Sequence, residues 1–423
     1  MYYIYMLLIL LNSSYSLGID ISDGQTVFEL IAESPLVVNV HVDIDKIDIE
    51  EYIGDNGRFS ILTLPGYHKS NIIGSPELPQ LNKLIEIPQN ASPKVEVIDY
   101  EIEYYKLYDY DISYPVFPHQ PSLSKSQKSE DVLFEINTDL YSKDGYLNHE
   151  LVSVDIKGML RSLRLANLVV RPIDYNPVDG IIKVYKNLSF KIYFEGSDLS
   201  LTSGIKEKYY SPYFESIYGT IENYNNSFRT DLVEYPVTYV IITNPIFENS
   251  LAEFIEWKTQ KGFTVVVGNT ADIGSSTLSI KNFIQNLYEN PTDNIPAPSF
   301  VLFVGDVAQL PTYNGSTGSH VTDLYYCEMT GDLMPEIYHG RFSAQNISQL
   351  ESQISKTLEY EKYEMPDPSY LEEVLMIAGV DASNASTYGN GQINYGTDYY
   401  FNEEHGIYSH TYLYPASDAP SAP

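Results

Sequence analysis

The spacing of the apolar residues changes once along the chain, near Pro236, and this change most constrains what the chain can fold into. From about residue 26 to 200 apolar and polar residues alternate, as in Leu188–Phe194, which reads Leu-Ser-Phe-Lys-Ile-Tyr-Phe. A period of two predicts antiparallel strands that are buried on one face. Similar runs at 40–49 and 95–104, separated by Pro and Gly, predict a β-sandwich-like domain.

After Pro236 short apolar runs alternate with segments of helical periodicity. We predict strands at 237–243, 263–267, 300–304 and 374–380. Between them, the apolar residues from Ile280 to Tyr288 share one helix face, and Asn346 with Gln349 marks the start of another helix. Strands separated by helices predict an α/β domain with a mainly parallel sheet, whose ligand site lies beyond the carboxyl ends of the strands.

The chain after residue 16 divides into three predicted segments. Residues 17–203 form the predicted β-rich domain, and 236–423 belong to the α/β domain. Between them, 204–235 lose the alternation and gather Asn, Ser and Tyr, which predicts a linker.

The first residues resemble a secretory signal peptide. An apolar run at 4–11 is too short to span a bilayer, and Ser14-Tyr15-Ser16 provides a small-x-small cleavage pattern. Neither Lys nor Arg precedes the run, so a buried strand is the alternative. We predict a signal peptide at 1–16, and hence a secreted protein with no transmembrane helix.

Charge and cysteine content exclude several classes of protein. The formal net charge of −32 disfavours nucleic acid as a partner and suits a soluble protein that binds cations. With Cys327 as the single cysteine, no intrachain disulfide can form. Its aromatic and acidic surroundings favour a buried structural thiol over a nucleophile.

Several acidic residues stand where a site could form. Asp306 and Asp381 each follow a predicted strand, a place that suits catalytic or metal-binding carboxylates and helix caps alike. In the segment 329–336, Asp332, the carbonyl of Met334 and Glu336 alternate as oxygen ligands of Ca²⁺ would. A solvated acidic loop is the alternative reading.

The sequence gives little support for a catalytic histidine or for a nucleotide-binding site. His320 follows a Gly- and Ser-rich stretch and could act as a general base, but no Ser or Cys elbow accompanies it. The sequence contains no Walker loop, GxGxxG, HExxH or CxxC motif, so nucleotide-binding and zinc-peptidase functions lack support.

Several motifs, in the same order along the chain, resemble the gingipain-type cysteine peptidases. In the second half these are Tyr239–Asn244, Phe254–Gly262, Val301–Pro311, Gly340–Ser343 and Thr357–Glu361. In the first half, Pro76–Pro79, Ile87–Pro88 and Arg171–Pro177 are similar to the β-rich propeptide of that family. The resemblance implies a secreted zymogen: the propeptide acts as an intramolecular inhibitor of a caspase-like α/β domain that cleaves protein substrates with a His and Cys dyad.

The resemblance also implies roles for individual residues. Asp306, Asp332 and Glu336 match side-chain ligands of a calcium site, with carbonyls near Thr330 and Met334. Asp381 matches the acid that orients the catalytic His. Asn394 falls near the position where Arg-specific members carry an acidic residue, and a neutral amide leaves a preference for Arg or Lys open.

The resemblance places the catalytic His and Cys of the family beyond Pro423, and neither His320 nor Cys327 matches them. We therefore expect a chain truncated within its α/β domain and inactive alone. Activation cleavage is predicted after Arg229, the only basic residue between Lys208 and Lys258. The alternative is a non-catalytic secreted binding or adhesion protein on a peptidase scaffold.

Overall fold

The structure is a computed structural model that describes residues 17–122, 132–225, 236–316, 320–379 and 385–416. The predicted signal peptide, Arg229 and Asp381 lie outside these ranges. None of the helices within them combines the length and the apolar character needed to cross a bilayer.

The first part of the chain is built mainly of strands, as its alternating sequence predicts. Its elements in order are β1 Leu17–Asp20, β2 Val27–Ser34, β3 Val37–Asp43, β4 Lys46–Gly54, β5 Gly57–Thr63, β6 His68–Lys69, β7 Pro79–Glu86, β8 Ser92–Lys106, α1 Thr138–Tyr141, β9 Val152–Leu160, β10 Leu163–Val170, β11 Ile173–Asn176 and β12 Ile181–Glu195.

These strands form antiparallel sheets. One has the order β1-β4-β5, a second β6-β7-β10-β9, and a third β11-β12-β3-β2, in which β8 also pairs with β12. The second and third sheets share one core, because apolar side chains of β7 and β10 cluster with those of β3 and β12. Among them are Ile85, Leu168, Val40 and Phe190, all almost fully buried.

The segment expected to be a linker is folded as far as residue 225. It contains the helices α2 Leu199–Tyr209 and α3 Glu215–Tyr218. Phe214, Tyr218 and Ile221 cluster with apolar side chains of β10. The linker prediction is thus corrected for 204–225, because these three side chains bury apolar surface that a linker would expose.

The α/β part begins with four strands in one parallel sheet. The elements are β13 Val237–Thr243, α4 Ala252–Gln260, β14 Phe263–Asn269, α5 Thr270–Ile273, α6 Thr277–Glu289, β15 Phe300–Val304, β16 Tyr313–Asn314, β17 Val321–Thr322, α7 Leu324–Cys327 and β18 Tyr338–Phe342. The order β14-β13-β15-β18, with every pairing parallel, confirms the predicted parallel sheet. Ile280 and Ile284 of α6 pack in one core with Val240 and Phe303 of the sheet.

A second compact unit contains residues 249–257 and most of the chain after 345. Its further elements are α8 Ile347–Glu361, β19 Glu373–Ile377, α9 Asn390–Tyr399 and β20 Tyr408–Tyr412, with β19 parallel to β20. The Asn346 side chain accepts a hydrogen bond from the Gln349 amide at 3.1 Å, which confirms the predicted helix start.

Candidate functional site

Asp306 lies just beyond the carboxyl end of β15, the edge at which α/β sheets place ligand sites. Its Oδ2 accepts a hydrogen bond from the Gln345 side chain at 2.7 Å, and its Oδ1 accepts from the Val307 amide at 2.8 Å and the Ser343 hydroxyl at 3.1 Å. The bonds from Gln345, Val307 and Ser343 hold the pKa of this carboxyl below its usual range. Both carboxylate oxygens therefore have protein donors.

An ion pair fixes the loop that carries Asp306. Arg341 of β18 donates from Nε and Nη2 to the two carboxylate oxygens of Asp323, at 2.8 and 2.7 Å. Its Nη1 donates to the carbonyls of Gly305 at 2.7 Å and Leu310 at 3.1 Å. The two charged side chains are only 14% and 13% exposed. Sequence reasoning missed this pair because its members are far apart along the chain.

Residues 328–336 form a turn that we call the acidic loop, and Glu328 organises its first half. Oε1 of Glu328 accepts hydrogen bonds from three consecutive amides, those of Thr330 at 2.8 Å, Gly331, and Asp332 at 3.1 Å. Gly331 has a φ of 85°, which lets the backbone curl around the carboxylate. Sequence reasoning overlooked Glu328, although its place before a Gly-containing turn was a signal.

The two carboxylate oxygens of Asp332 accept hydrogen bonds from two different parts of the chain. Its Oδ1 accepts from the Met334 amide at 2.8 Å, which closes the loop locally. Its Oδ2 accepts from the Met159 amide at 2.5 Å. Because Met159 belongs to β9, this bond joins the β-rich part of the chain to the acidic loop.

Glu336 ends the acidic loop and is fully buried. Its carboxylate accepts hydrogen bonds from the Met329 amide at 2.5 Å and the Thr330 hydroxyl at 3.1 Å. Burial is the main cause that raises the pKa of Glu336 to about 7, and the nearby charge of Asp332 contributes in the same direction. The hydrogen bonds from Met329 and Thr330 thus hold the Glu336 carboxylate in its buried position.

The five predicted calcium ligands lie on two segments of the chain. Thr330, Asp332, Met334 and Glu336 share the acidic loop, whereas the carboxylate of Asp306 is bonded to residues that follow β18. Within the described ranges, no group of three or more His, Cys, Asp or Glu side chains is placed to hold a metal ion. Calcium binding stays a prediction.

Cys327 is a core residue. It ends α7, has no exposed surface, and packs in the same cluster as Val240 and Phe303. Burial raises the pKa of its thiol far above the usual value. A buried neutral thiol is a poor nucleophile, so the structure favours the structural reading of this cysteine.

The remaining predicted residues are scattered. His320 is exposed, and its main-chain carbonyl accepts a hydrogen bond from the Gly315 amide at 2.9 Å. Asn394 is exposed on α9 in the second compact unit, whereas the acidic loop belongs to the first. Asp381 and Arg229 lie outside the described residues.

Arg161 was not predicted, and it links the β-rich part to the parallel sheet. It occupies the two-residue turn between β9 and β10. These two antiparallel strands form the β9–β10 hairpin (Val152–Val170). Its guanidinium donates hydrogen bonds to main-chain carbonyls of Ala297, Pro298 and Glu336. Arginines on hairpin turns are common at surfaces, so no local signal marked this one as buried.

Two family models match successive parts of the chain. Residues 25–209 match the Propeptide_C25 family model, and residues 233–419 match the model of peptidase family C25. Lys-gingipain W83 of Porphyromonas gingivalis is 37% identical over 375 residues, which cover 88% of this chain and 21% of that protein. Gingipain R2 of the same species is 24% identical, over 76% of this chain and 43% of its own length.

A solved structure concerned with the zymogenic latency of gingipain K from Porphyromonas gingivalis aligns with a TM-score of 0.41 and 30% identity, over 43% of this chain and all of that one. The chain spans about a fifth of the length of Lys-gingipain W83. Because a C25 propeptide and C25 peptidase sequence follow one another here, the chain belongs to the gingipain-type cysteine peptidases of family C25.

Proposed function

We propose that the chain is the propeptide and the first part of the catalytic domain of a secreted cysteine endopeptidase precursor. One observation carries this proposal. The part that matches the family propeptide inserts the Arg161 side chain into the part that matches the peptidase. This contact supports the role of the propeptide as an intramolecular inhibitor.

The chemistry proposed is acyl transfer to a thiolate. The thiolate attacks the scissile carbonyl, a histidine protonates the leaving amine, and water then hydrolyses the thioester. Cys327 does not serve as the nucleophile in this proposal because its thiol is buried and neutral. The proposal takes the nucleophile and its histidine from sequence after Pro423, on a caspase-like fold, and assigns to Asp381 the orientation of that histidine.

Export, activation and specificity complete the proposal. The apolar run at 4–11 supports export through a signal peptide, and a cut after Arg229 would separate the two parts. Several relatives carry the name Lys-gingipain, which suggests a basic residue before the cleaved bond. The neutral amide of Asn394 cannot form an ion pair with such a residue, so peptides with Lys, Arg and neutral residues there should be compared.

A thiol alkylator tests the mechanism. We expect the processed full-length gene product to cleave peptides and to lose this activity completely with iodoacetamide, while mass spectrometry finds Cys327 unmodified because it is buried. A Cys327→Ala variant is the control and should retain the activity. Cleavage that survives alkylation would reject the mechanism, and absence of any cleavage after processing would favour the binding-protein alternative.

Calcium binding is a separate proposal, supported by the resemblance alone. If Asp306, Asp332 and Glu336 bind Ca²⁺, saturating metal stabilises the fold by linkage, and EGTA lowers the melting temperature by roughly 5 °C. The Asp332→Asn variant should show a smaller response to EGTA, whereas Asp20→Asn, in strand β1, should respond as the wild type does. An unchanged melting temperature in the wild type would reject the site.

A further inference from the structure

The turn that carries Arg161 has an uncommon backbone conformation and a buried hydrogen bond next to it. Arg161 has a φ of 54°, a left-handed conformation that is uncommon for a residue with a side chain. The next residue, Ser162, is buried and its hydroxyl shares a hydrogen bond of 2.9 Å with the Tyr218 hydroxyl. The turn is therefore held from the propeptide side in a fixed position, with the Arg161 side chain pointing away from its own sheets toward the peptidase part.

The guanidinium is surrounded by carbonyl oxygens. Nη1 donates to Pro298 at 2.7 Å and to Glu336 at 3.0 Å, and Nη2 donates to Ala297 at 3.0 Å. Nε donates to the carbonyl of Tyr209, at the end of α2, at 2.6 Å. The acceptors in the peptidase part immediately precede β15 and β18, so their positions are fixed by the parallel sheet.

Aromatic rings complete the enclosure. The guanidinium carbon lies 5.0 Å from the centre of the Phe214 ring and 5.9 Å from that of Tyr288. Tyr288 belongs to α6, and its ring stacks on Tyr209 at 4.5 Å. Arg161 itself is only 1% exposed. A cation in such a place gains from the ring faces because no water competes for it.

This geometry selects a guanidinium over an ammonium group. Arginine presents five donors in a plane, which match several acceptors spread around a flat head group. Lysine has three donors on one nitrogen atom and is more strongly hydrated, so it cannot reach all four carbonyls. Truncation to alanine would leave four buried carbonyls without their donors, which costs far more than losing a surface contact.

We propose that the carbonyls of Ala297, Pro298 and Glu336, with the Tyr288 ring, form a guanidinium-binding pocket that Arg161 occupies in the precursor, and that this contact retains the propeptide on the peptidase part after the chain is cut between them. The inference rests on the proposed function for the roles of the two parts. It adds the residue that determines how long the inhibitor stays bound.

The test uses the complete chain with a recognition site for a sequence-specific protease introduced within 226–235. After cleavage, the dissociation rate of the N-terminal piece is followed by dilution and gel filtration, which requires no peptidase activity. We expect Arg161→Ala to accelerate dissociation by at least about 100-fold and Arg161→Lys by about 10-fold. Circular dichroism before cleavage identifies any variant that does not fold, and Arg161→Lys, which keeps the charge and the stem, then provides the test.

Arg164→Ala is the matched control. Arg164 lies in the same hairpin and also donates to two main-chain carbonyls, those of Pro88 and Ala91, but both belong to the propeptide part. Its replacement should change dissociation by less than about 3-fold. The proposal would be overturned if the Arg161 variants dissociated at the wild-type rate. It would also be overturned if Arg164→Ala accelerated dissociation as much as Arg161→Ala does. The experiment measures physical association and not peptidase activity. If the protein is inactive but the Arg161 variants still dissociate faster, the proposed function is rejected and the Arg161 contact is not.

Discussion

Replacing Arg341 with alanine is expected to destabilise the parallel sheet by about 3 to 5 kcal/mol, because it leaves the largely buried Asp323 carboxylate without its cation. The same change removes the donors of the Gly305 and Leu310 carbonyls and frees the loop that follows β15. Hydrogen exchange in a urea series, followed on peptides from β15 and β18, measures the free energy of opening of this region.

Arg58→Ala is the control that distinguishes the loss of a buried ion pair from the loss of a positive charge alone. Arg58 lies 3.7 Å from Glu51 in an ion pair whose side chains are 54% and 47% exposed. Exposed pairs contribute little because water screens them, so Arg58→Ala should leave the opening of β15 and β18 unchanged. Equal effects of the two substitutions would show that the Arg341 pair has no special structural role. Adding Asp323→Asn to Arg341→Ala should recover part of the loss, since no buried charge then remains unpaired.

Gly158→Ala is expected to destabilise the β9–β10 hairpin by about 3 to 4 kcal/mol, through two separate causes. Gly158 has a φ of 141°, a conformation that residues with a side chain rarely adopt. A Cβ atom there would also lie 2.1 Å from Oδ2 of Asp332, so the hairpin and the acidic loop would have to move apart. Hydrogen exchange of peptides from β9 and β10 measures the loss.

Gly145 provides the control for this substitution. Its φ of 142° matches that of Gly158, but a Cβ atom at Gly145 would meet nothing within 4 Å. Gly145→Ala therefore includes the backbone strain without the collision, and should cost about 1 to 2 kcal/mol in its own turn. If the two variants lose the same free energy, the close approach of Gly158 to Asp332 is not a feature of the folded protein in solution.

The parts of the fold that sequence predicted depend on local patterns. The apolar runs of β13 and β15 lie at the predicted positions because a strand buried on both faces needs such a run. The cap at Asn346 likewise involves a residue only three positions away. For the linker, a local signal existed and was overlooked: Phe214, Tyr218 and Ile221 follow the i, i+4, i+7 spacing of a helix face.

The site depended on contacts that no local pattern encodes. Arg341 of β18 pairs with Asp323, which precedes α7, and Met159 donates to Asp332 from 173 positions earlier in the chain. Predicting them would have required the relative placement of the β9–β10 hairpin and the parallel sheet. The resemblance identified the acidic loop, yet the described carboxylates accept hydrogen bonds from the protein, an arrangement that spacing alone does not reveal.

The pocket around Arg161 also bears on how such a precursor can change over generations. Its polar acceptors are main-chain carbonyls, which every residue type supplies, so substitutions at Ala297, Pro298 or Glu336 that keep the backbone path leave the acceptors in place. The donor, in contrast, is a side chain that no other residue type replaces. Mutational tolerance is thus unequal across the contact: the polar acceptors of the peptidase face do not depend on which side chains carry them, whereas the propeptide must keep one arginine at one turn.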